Sequence, residues 1–493
     1  MVRARTRSDP PGSAPGAGQA PELHRALGLV DFVLLVVGAV VGADVYVVSA
    51  LGAASLGPAQ IVAWLVAGVM AALIALAFVQ CAAIVPEVGG SYAYARAAFG
   101  PFGGFLAGWA LYLGEWIALP VFPLAFVTYL GTFIPSITTA ERLTVAVALV
   151  VAASAVNLVG VRTGSALNDV LTVAKLLPLA LLIVFGLVFA GAHPGRVTGN
   201  LTPFAPLGWS GLGAAIVPIF WAYAGFELAV LPAGEVREPR RTLPRGLLVG
   251  MTLVTVFYVL TAFAVVATLP WHRAATASRP LSDAFGAALS GLGLPARPGA
   301  VLMSLGGLIA IASVTEVFML SLARLSYAMA RDGLFPAAFA RVDPRFRTPV
   351  VGLVFQAGSA IVLLPFVGLR SLIDVAVFFL GISYLITALA ALRLARRNPA
   401  AALHVPGLRL LLALAALGGL ALAAQLSLAQ TAAGLGAMAG GVALFAWRRG
   451  AWTHRAELLA ELHHQEEHFE AWAHRHERWL FHSVRRRPPG PPR

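Results

Sequence analysis

Lysine is almost missing from this chain. Among 35 lysines and arginines, Lys175 is the one lysine. Cysteine is as scarce: Cys81 stands alone, which allows no internal disulfide and no thiolate metal cluster. Charged residues make up only 12% of 493 positions. A soluble domain of this length could not cover its surface with so few. The chain has no P-loop, which argues against ATP-driven chemistry. It also lacks HExxH, GxSxG and any paired-carboxylate hydrolase arrangement, so neither an enzyme nor a bound cofactor or metal is expected. The segment Met1 to Pro21, rich in Pro, Gly, Ala and Arg, has no apolar core before a cleavage site. It reads as a disordered tail and not a signal peptide. The two-residue alternation of an outer-membrane barrel is absent too.

What is present is apolar. Hydrophobic residues are 59% of the chain, and its mean hydropathy is +0.82. Runs of about 18 or more apolar residues recur, which predicts an all-α polytopic membrane protein of about twelve transmembrane helices. The first span is expected over Leu29–Ser55, the fifth over Leu167–Ala190 and the sixth over Leu212–Pro232. The eighth covers Ala300–Ala330 and the twelfth Thr431–Trp447. Asp283 to Leu289 reads as a short interfacial helix. The net charge of +13 sits in loops and tails between spans, which suits membrane topology and anionic lipid, not nucleic acid. Arg96, Arg162, Arg237 to Arg245, Arg341 to Arg347, Arg396, Arg397 and both tails fall on one side. That side is expected to be cytoplasmic, with both termini inside.

Two spans are expected to break. The first contains "VGAVVGADVY", where Gly38, Ala39 and Gly42 lead directly into Asp44. Glycine costs a helix up to about 1 kcal/mol relative to alanine. A carboxylate at mid-membrane depth costs about 2.5–3.5 kcal/mol on insertion scales. Together they point to unwound backbone facing a polar cavity. A tight GxxxG crossing would explain the glycines but not Asp44. The sixth span repeats the pattern, with Gly225 before Phe226 and Glu227. Matching interruptions five spans apart are the sequence sign of an inverted-repeat transporter. Free N–H groups at one half-helix suit a carboxylate, and freed carbonyls at another suit an ammonium. A zwitterion would satisfy both.

Four stretches together resemble the amino acid–polyamine–organocation transporter superfamily. They are "GAVVGADVY", "PEVGGSYAYARAAFGPFGGFLAGW", "FWAYAGFELAVLPAGEVREPRRTLPRG" and "LARLSYAMARDGLFPAAFARVDPRFRTP". The resemblance covers most of the chain, Leu27 to Trp447. It implies a five-plus-five inverted-repeat core with broken helices, two added C-terminal helices and secondary transport by alternating access. Four regions follow: a tail over 1–26, a transport core over 27–398, two further helices over 399–450, and an amphipathic tail over 451–493. The resemblance also implies substrate contacts from Gly38, Ala39, Val40, Val41, Gly42, Ala43 and Asp44, and from Trp221, Ala222, Tyr223, Ala224, Gly225 and Glu227. Glu227 has two readings, a substrate contact or a buried structural acid. Asp44 departs from the glycine usual in the family. As a carboxylate in the cavity it would repel a substrate's own carboxylate. It could instead hold an amine, carry a proton, or turn into packing.

Lys175 lies in "TVAKLLPL", similar to a stretch where proton-coupled members carry a lysine in place of a sodium site. Burial disfavours the charged form of an amine, so such a lysine can exchange a proton near neutrality, whereas a guanidinium effectively cannot. Moving one charge across about 100 mV is worth about 2.3 kcal/mol. At about 1.4 kcal/mol per decade this sustains a gradient of roughly 40-fold per proton. Structural pairing or snorkelling is the alternative. Glu316 could pair with Lys175 or relay its proton, and Glu115 reads as a packed acid. Asn168 and Asp169 read as helix-capping residues. The expected partners are an amino acid or amine substrate, protons and lipid, in the cytoplasmic membrane, with a homodimer left open. His454, His463, His464, His468, His474, His476 and His482 lie on a tail with helical periodicity, which reads as a solvated or interface-lying helix.

Overall fold

The computed structural model describes residues 28–85, 89–159, 165–229, 236–343, 345–346, 348–366 and 368–447. The two tails lie outside the described residues. So does the expected His-rich helix.

The spans sit where apolar length places them. The first is split into α1 (Leu29–Val40) and α2 (Asp44–Leu56), followed by α3 (Gln60–Ile84). After the short α4 (Ser91–Phe99), the third span is α5 (Pro101–Ala118) continued by α6 (Val121–Leu130). Then come α7 (Thr139–Val159), α8 (Ser165–Ala192) and the short α9 (Pro194–Leu201). The sixth span is split into α10 (Leu212–Trp221) and α11 (Phe226–Ala229). It is followed by α12 (Pro239–Thr268), two short helices α13 (Trp271–Thr276) and α14 (Pro280–Gly291), and α15 (Ala296–Arg331). The last spans are α16 (Val350–Leu363), α17 (Leu369–Arg397), α18 (Leu408–Ala423) and α19 (Leu428–Trp447). The described residues form no β-sheet.

Local chemistry sets several ends. Asp31 accepts the Gly28 N–H at 2.9 Å and closes the start of α1. Pro239 opens α12, where its missing N–H costs nothing. At about 1.5 Å per residue the 36 residues of α15 reach well beyond a hydrocarbon core of about 30 Å. Its last turn stays packed, with Met329 and Ala330 buried, and just beyond it Asp332 forms an ion pair with Arg96 and also accepts the Tyr92 hydroxyl. Two expectations shift. Asn168 and Asp169 fall inside α8, which already begins at Ser165, so they do not cap it. The helix near Asp283 is longer than expected and packs on α2, α8 and α15, with Leu281, Ala284, Phe285 and Ala288 buried.

The two halves of the chain interlock around the broken spans. α1 lies on α11 and α12, α10 lies on α2 and α3, and α15 lies on α6 and α8. α17 packs on α5 and also carries the last added helices through α18. Gly381 and Gly419 let α17 and α18 nearly touch, since a Cβ on Gly381 would come within 2.8 Å of Gly419 O. The outward faces are apolar. Leu34, Val184, Val188, Leu248, Val354, Leu410 and Leu417 are all exposed, as a surface solvated by lipid tails requires.

Candidate functional site at two interrupted helices

The first interruption is Val41 to Ala43. Val41 turns extended and ends α1, and Asp44 begins α2 in its first turn. A helix end leaves carbonyls without helical partners, and here each has a neighbour. Val37 O takes the Val41 N–H at 2.8 Å. Gly38 O takes the ammonium of Lys175 at 3.0 Å. Val40 O lies 3.0 Å from the Tyr258 hydroxyl. Ala39 O faces Gly225, where a Cβ would come within 2.5 Å.

The second interruption is Ala222 to Gly225. α10 tightens into i→i−3 bonds, from Ala222 N–H to Ile219 O and from Ala224 N–H to Trp221 O, both at 3.1 Å. Gly225 then adopts φ +108°, a conformation that side-chain-bearing residues rarely reach. It also needs the missing side chain to approach Ala39. Sequence spacing suggested two breaks; the fold presses them against each other.

Tyr258, fully buried on α12, joins them. Its hydroxyl is 3.0 Å from Val40 O and 3.0 Å from Ala222 O. Other tyrosines serve the same backbone. Tyr46 donates to Lys175 O at 3.0 Å, and Tyr129 donates to Tyr46 O at 2.8 Å. None of these was singled out from sequence. A tyrosine inside an apolar run looks like core until the fold shows where its hydroxyl goes.

The charges are divided between the two half-helices. Lys175, 9% exposed, sits at the carbonyl end of α1, where the helix dipole favours a cation. Asp44, 8% exposed, sits at the amide end of α2, where it favours an anion. Asp44 Oδ1 is buried and has no hydrogen-bond partner among the described residues. An unpaired buried carboxylate oxygen is costly, so a donor supplied from outside would be bound strongly.

Glu227 is engaged internally. Its Oε2 accepts the Gly225 N–H at 3.0 Å and its Oε1 accepts the Tyr384 hydroxyl at 3.2 Å. It therefore closes the second break. Trp221 is buried and stacked on Phe122, ring centroids 5.5 Å apart. Val40, Val41, Gly42, Ala43, Ala222 and Tyr223 are buried, and Gly38, Ala39, Ala224 and Gly225 are half-buried. Glu316 stands apart. Its backbone carbonyl takes the Asn157 side-chain amide at 2.9 Å, while Lys175 turns to Gly38 O instead. Glu115 is less inert than packing alone would make it. With Glu227, Arg324, Ser91 and Ser321 it lines a cavity of about 150 Å³ beside the second break.

Two broken helices, touching at their breaks and framed by an ammonium and a carboxylate, define a multi-span membrane transporter with a five-plus-five inverted-repeat core. A solved structure, that of MhsT in complex with L-phenylalanine, has the same fold, at a TM-score of 0.58 over 82% of this chain and 98% of that one, with 15% identity. The chain belongs to the amino acid permease family, whose model matches residues 27–438. An uncharacterized transporter of Mycobacterium bovis is 32% identical over 87% of this chain and 92% of its own. The branched-chain amino acid permease BcaP of Bacillus subtilis is 27% identical over 68% of this chain and 73% of its own. A methylthioribose transporter of the same organism is 28% identical over 67% and 72%.

Proposed function

We propose that the chain carries amino acids across the cytoplasmic membrane by proton-coupled secondary transport and alternating access, with both termini cytoplasmic. The observation that carries this reading is the bond from Lys175 to Gly38 O. Charged, the ammonium holds the carbonyl end of α1 in place. Neutral, it loses about a third to two thirds of that hold, since a hydrogen bond to a charged group contributes about 1.5–3 kcal/mol against about 1 kcal/mol for a neutral one. Protonation thus biases the shape of a half-helix that faces the substrate. Substrate would lie against Gly38 to Asp44 and Trp221 to Gly225, with Glu227 setting the backbone of the second break.

Asp44 favours a second reading within the same fold, a polyamine or other organic cation as substrate. It already occupies the positive end of α2 with its own carboxylate, so a substrate carboxylate has less to gain there. Its Oδ1 suits an amine instead. Uptake of a mixed radiolabelled panel into proteoliposomes under an imposed pH gradient separates the two. Competition by neutral amino acids supports the first, and competition by diamines supports the second. Absence of any flux in the panel would end both.

A further inference from the structure

A second cavity lies on the outer face of the bundle, behind the helix that joins the two breaks. It is a groove of about 990 Å³ between α3, α12 and the segment leading into α18. Its walls are apolar, with Leu65, Val69, Leu73 and Leu76 on α3 facing Leu248 and Val256 on α12. Leu65, Val69, Leu248 and Val256 are each more than half exposed. The groove floor is narrow because Gly68 sits against Thr255, leaving no room for a side chain there. Its mouth is basic. Arg241, Arg245 and His404 ring it, and among the described residues no carboxylate lines it. Arg241 has one acidic neighbour, Glu238 at 3.7 Å, with both side chains highly exposed, so the pair leaves it free to exchange partners.

The dimensions fit one leaflet. From Leu76 to Leu65 the wall is eleven residues of helix, about 16 Å at 1.5 Å per residue. From Arg245 to Val256 the facing wall has the same length. Half of a hydrocarbon core of about 30 Å is about 15 Å. The basic mouth lies where the apolar span of α12 begins, at Arg241, and therefore at head-group depth. An occupant must be apolar for the depth of one leaflet and anionic at its end.

We propose that this groove is a binding site for an anionic phospholipid, with an acyl chain along α3 and α12 and the phosphate between Arg241, Arg245 and His404. The site bears on the transport core through α12. Thr255 lines the groove, and Tyr258, one turn further on, touches both interrupted helices. A lipid seated there braces the helix that holds the two breaks together.

Melting of the purified full chain in neutral detergent, titrated with dioleoylphosphatidylglycerol or dioleoylphosphatidylcholine, tests this. The glycerol lipid should raise the melting temperature at a lower mole fraction than the choline lipid. Each arginine near a membrane surface contributes about fivefold in affinity. Arg241→Gln with Arg245→Gln should therefore raise the half-saturating mole fraction about 25-fold. Arg396→Gln with Arg397→Gln, at the end of α17 outside the groove, should leave it unchanged. Ala72→Trp, which fills the apolar wall, should weaken binding with all the arginines in place. The proposal is overturned by equal response to the two lipids, or by an equal loss in the α17 variant. It is equally overturned if inorganic phosphate reproduces the stabilisation. If the arginine pair does not fold, the comparison of lipids on the parent chain and on Ala72→Trp still decides.

Discussion

Tyr258→Phe removes one oxygen from the centre of the molecule. The ring keeps its packing, edge-on to Trp64 at 5.3 Å and to Tyr223 at 5.1 Å between centroids, so the change leaves no cavity. What it removes is a hydroxyl 3.0 Å from a carbonyl of each interrupted helix. One hydroxyl carries one proton, so the loss is about one neutral hydrogen bond, ~1 kcal/mol, where water can replace it. It rises to about 3 kcal/mol where two buried carbonyls are left without a donor. Tyr129→Phe is the control. Its hydroxyl meets Tyr46 O inside α2, a carbonyl that the helix also serves, so its loss should stay near the lower figure. Denaturant unfolding of both variants in the same detergent, with substrate uptake measured in parallel, reads the difference. The expected result is a larger destabilisation in Tyr258→Phe, accompanied by a changed KM that Tyr129→Phe does not share. Equal, small effects in both variants would refute the idea that Tyr258 ties the two breaks.

Gly225→Ala combines a φ of +108° with a Cβ only 2.5 Å from Ala39 O. Backbone strain of this kind costs about 1–3 kcal/mol, and the clash adds to it. Thermal unfolding should show a loss of at least that size, with uptake abolished. Gly38→Ala, where nothing lies within 4 Å, should be tolerated. Asp44→Asn keeps the shape of the side chain and removes its charge. If Asp44 grips a substrate amine, affinity for amines should fall about 10- to 100-fold, the worth of a charge-assisted bond, as read by competition binding. Asp44→Gly should shift preference toward zwitterions.

Much of the fold was legible because lipid enforces a simple rule. Each span must be apolar for the thickness of the bilayer, so hydropathy alone placed the spans. The breaks were legible for a similar reason. A carboxylate after small residues, as at Gly42 to Asp44 and Gly225 to Glu227, conflicts with a continuous helix in hydrocarbon. Lys175 stood out because no other lysine exists. The partners of these groups were not legible. Sequence offered Glu316 to Lys175, yet the ammonium goes to a main-chain oxygen, that of Gly38. Nor does spacing show that Tyr258 reaches both breaks, since that depends on how α12 lies across α1. The double use of Glu227 was hidden for the same reason. Its partner Tyr384 is 157 residues away in sequence.

Under the proposed function, one ammonium seated on the carbonyl end of a half-helix links proton binding to substrate movement. Acid-driven uptake in proteoliposomes containing Lys175→Ala, with substrate exchange measured on the same preparation, tests it most directly. In that variant an inward proton gradient should no longer raise uptake, while exchange of substrate across the membrane persists. Uptake by Lys175→Ala that still rises with the gradient as the parent does would contradict it.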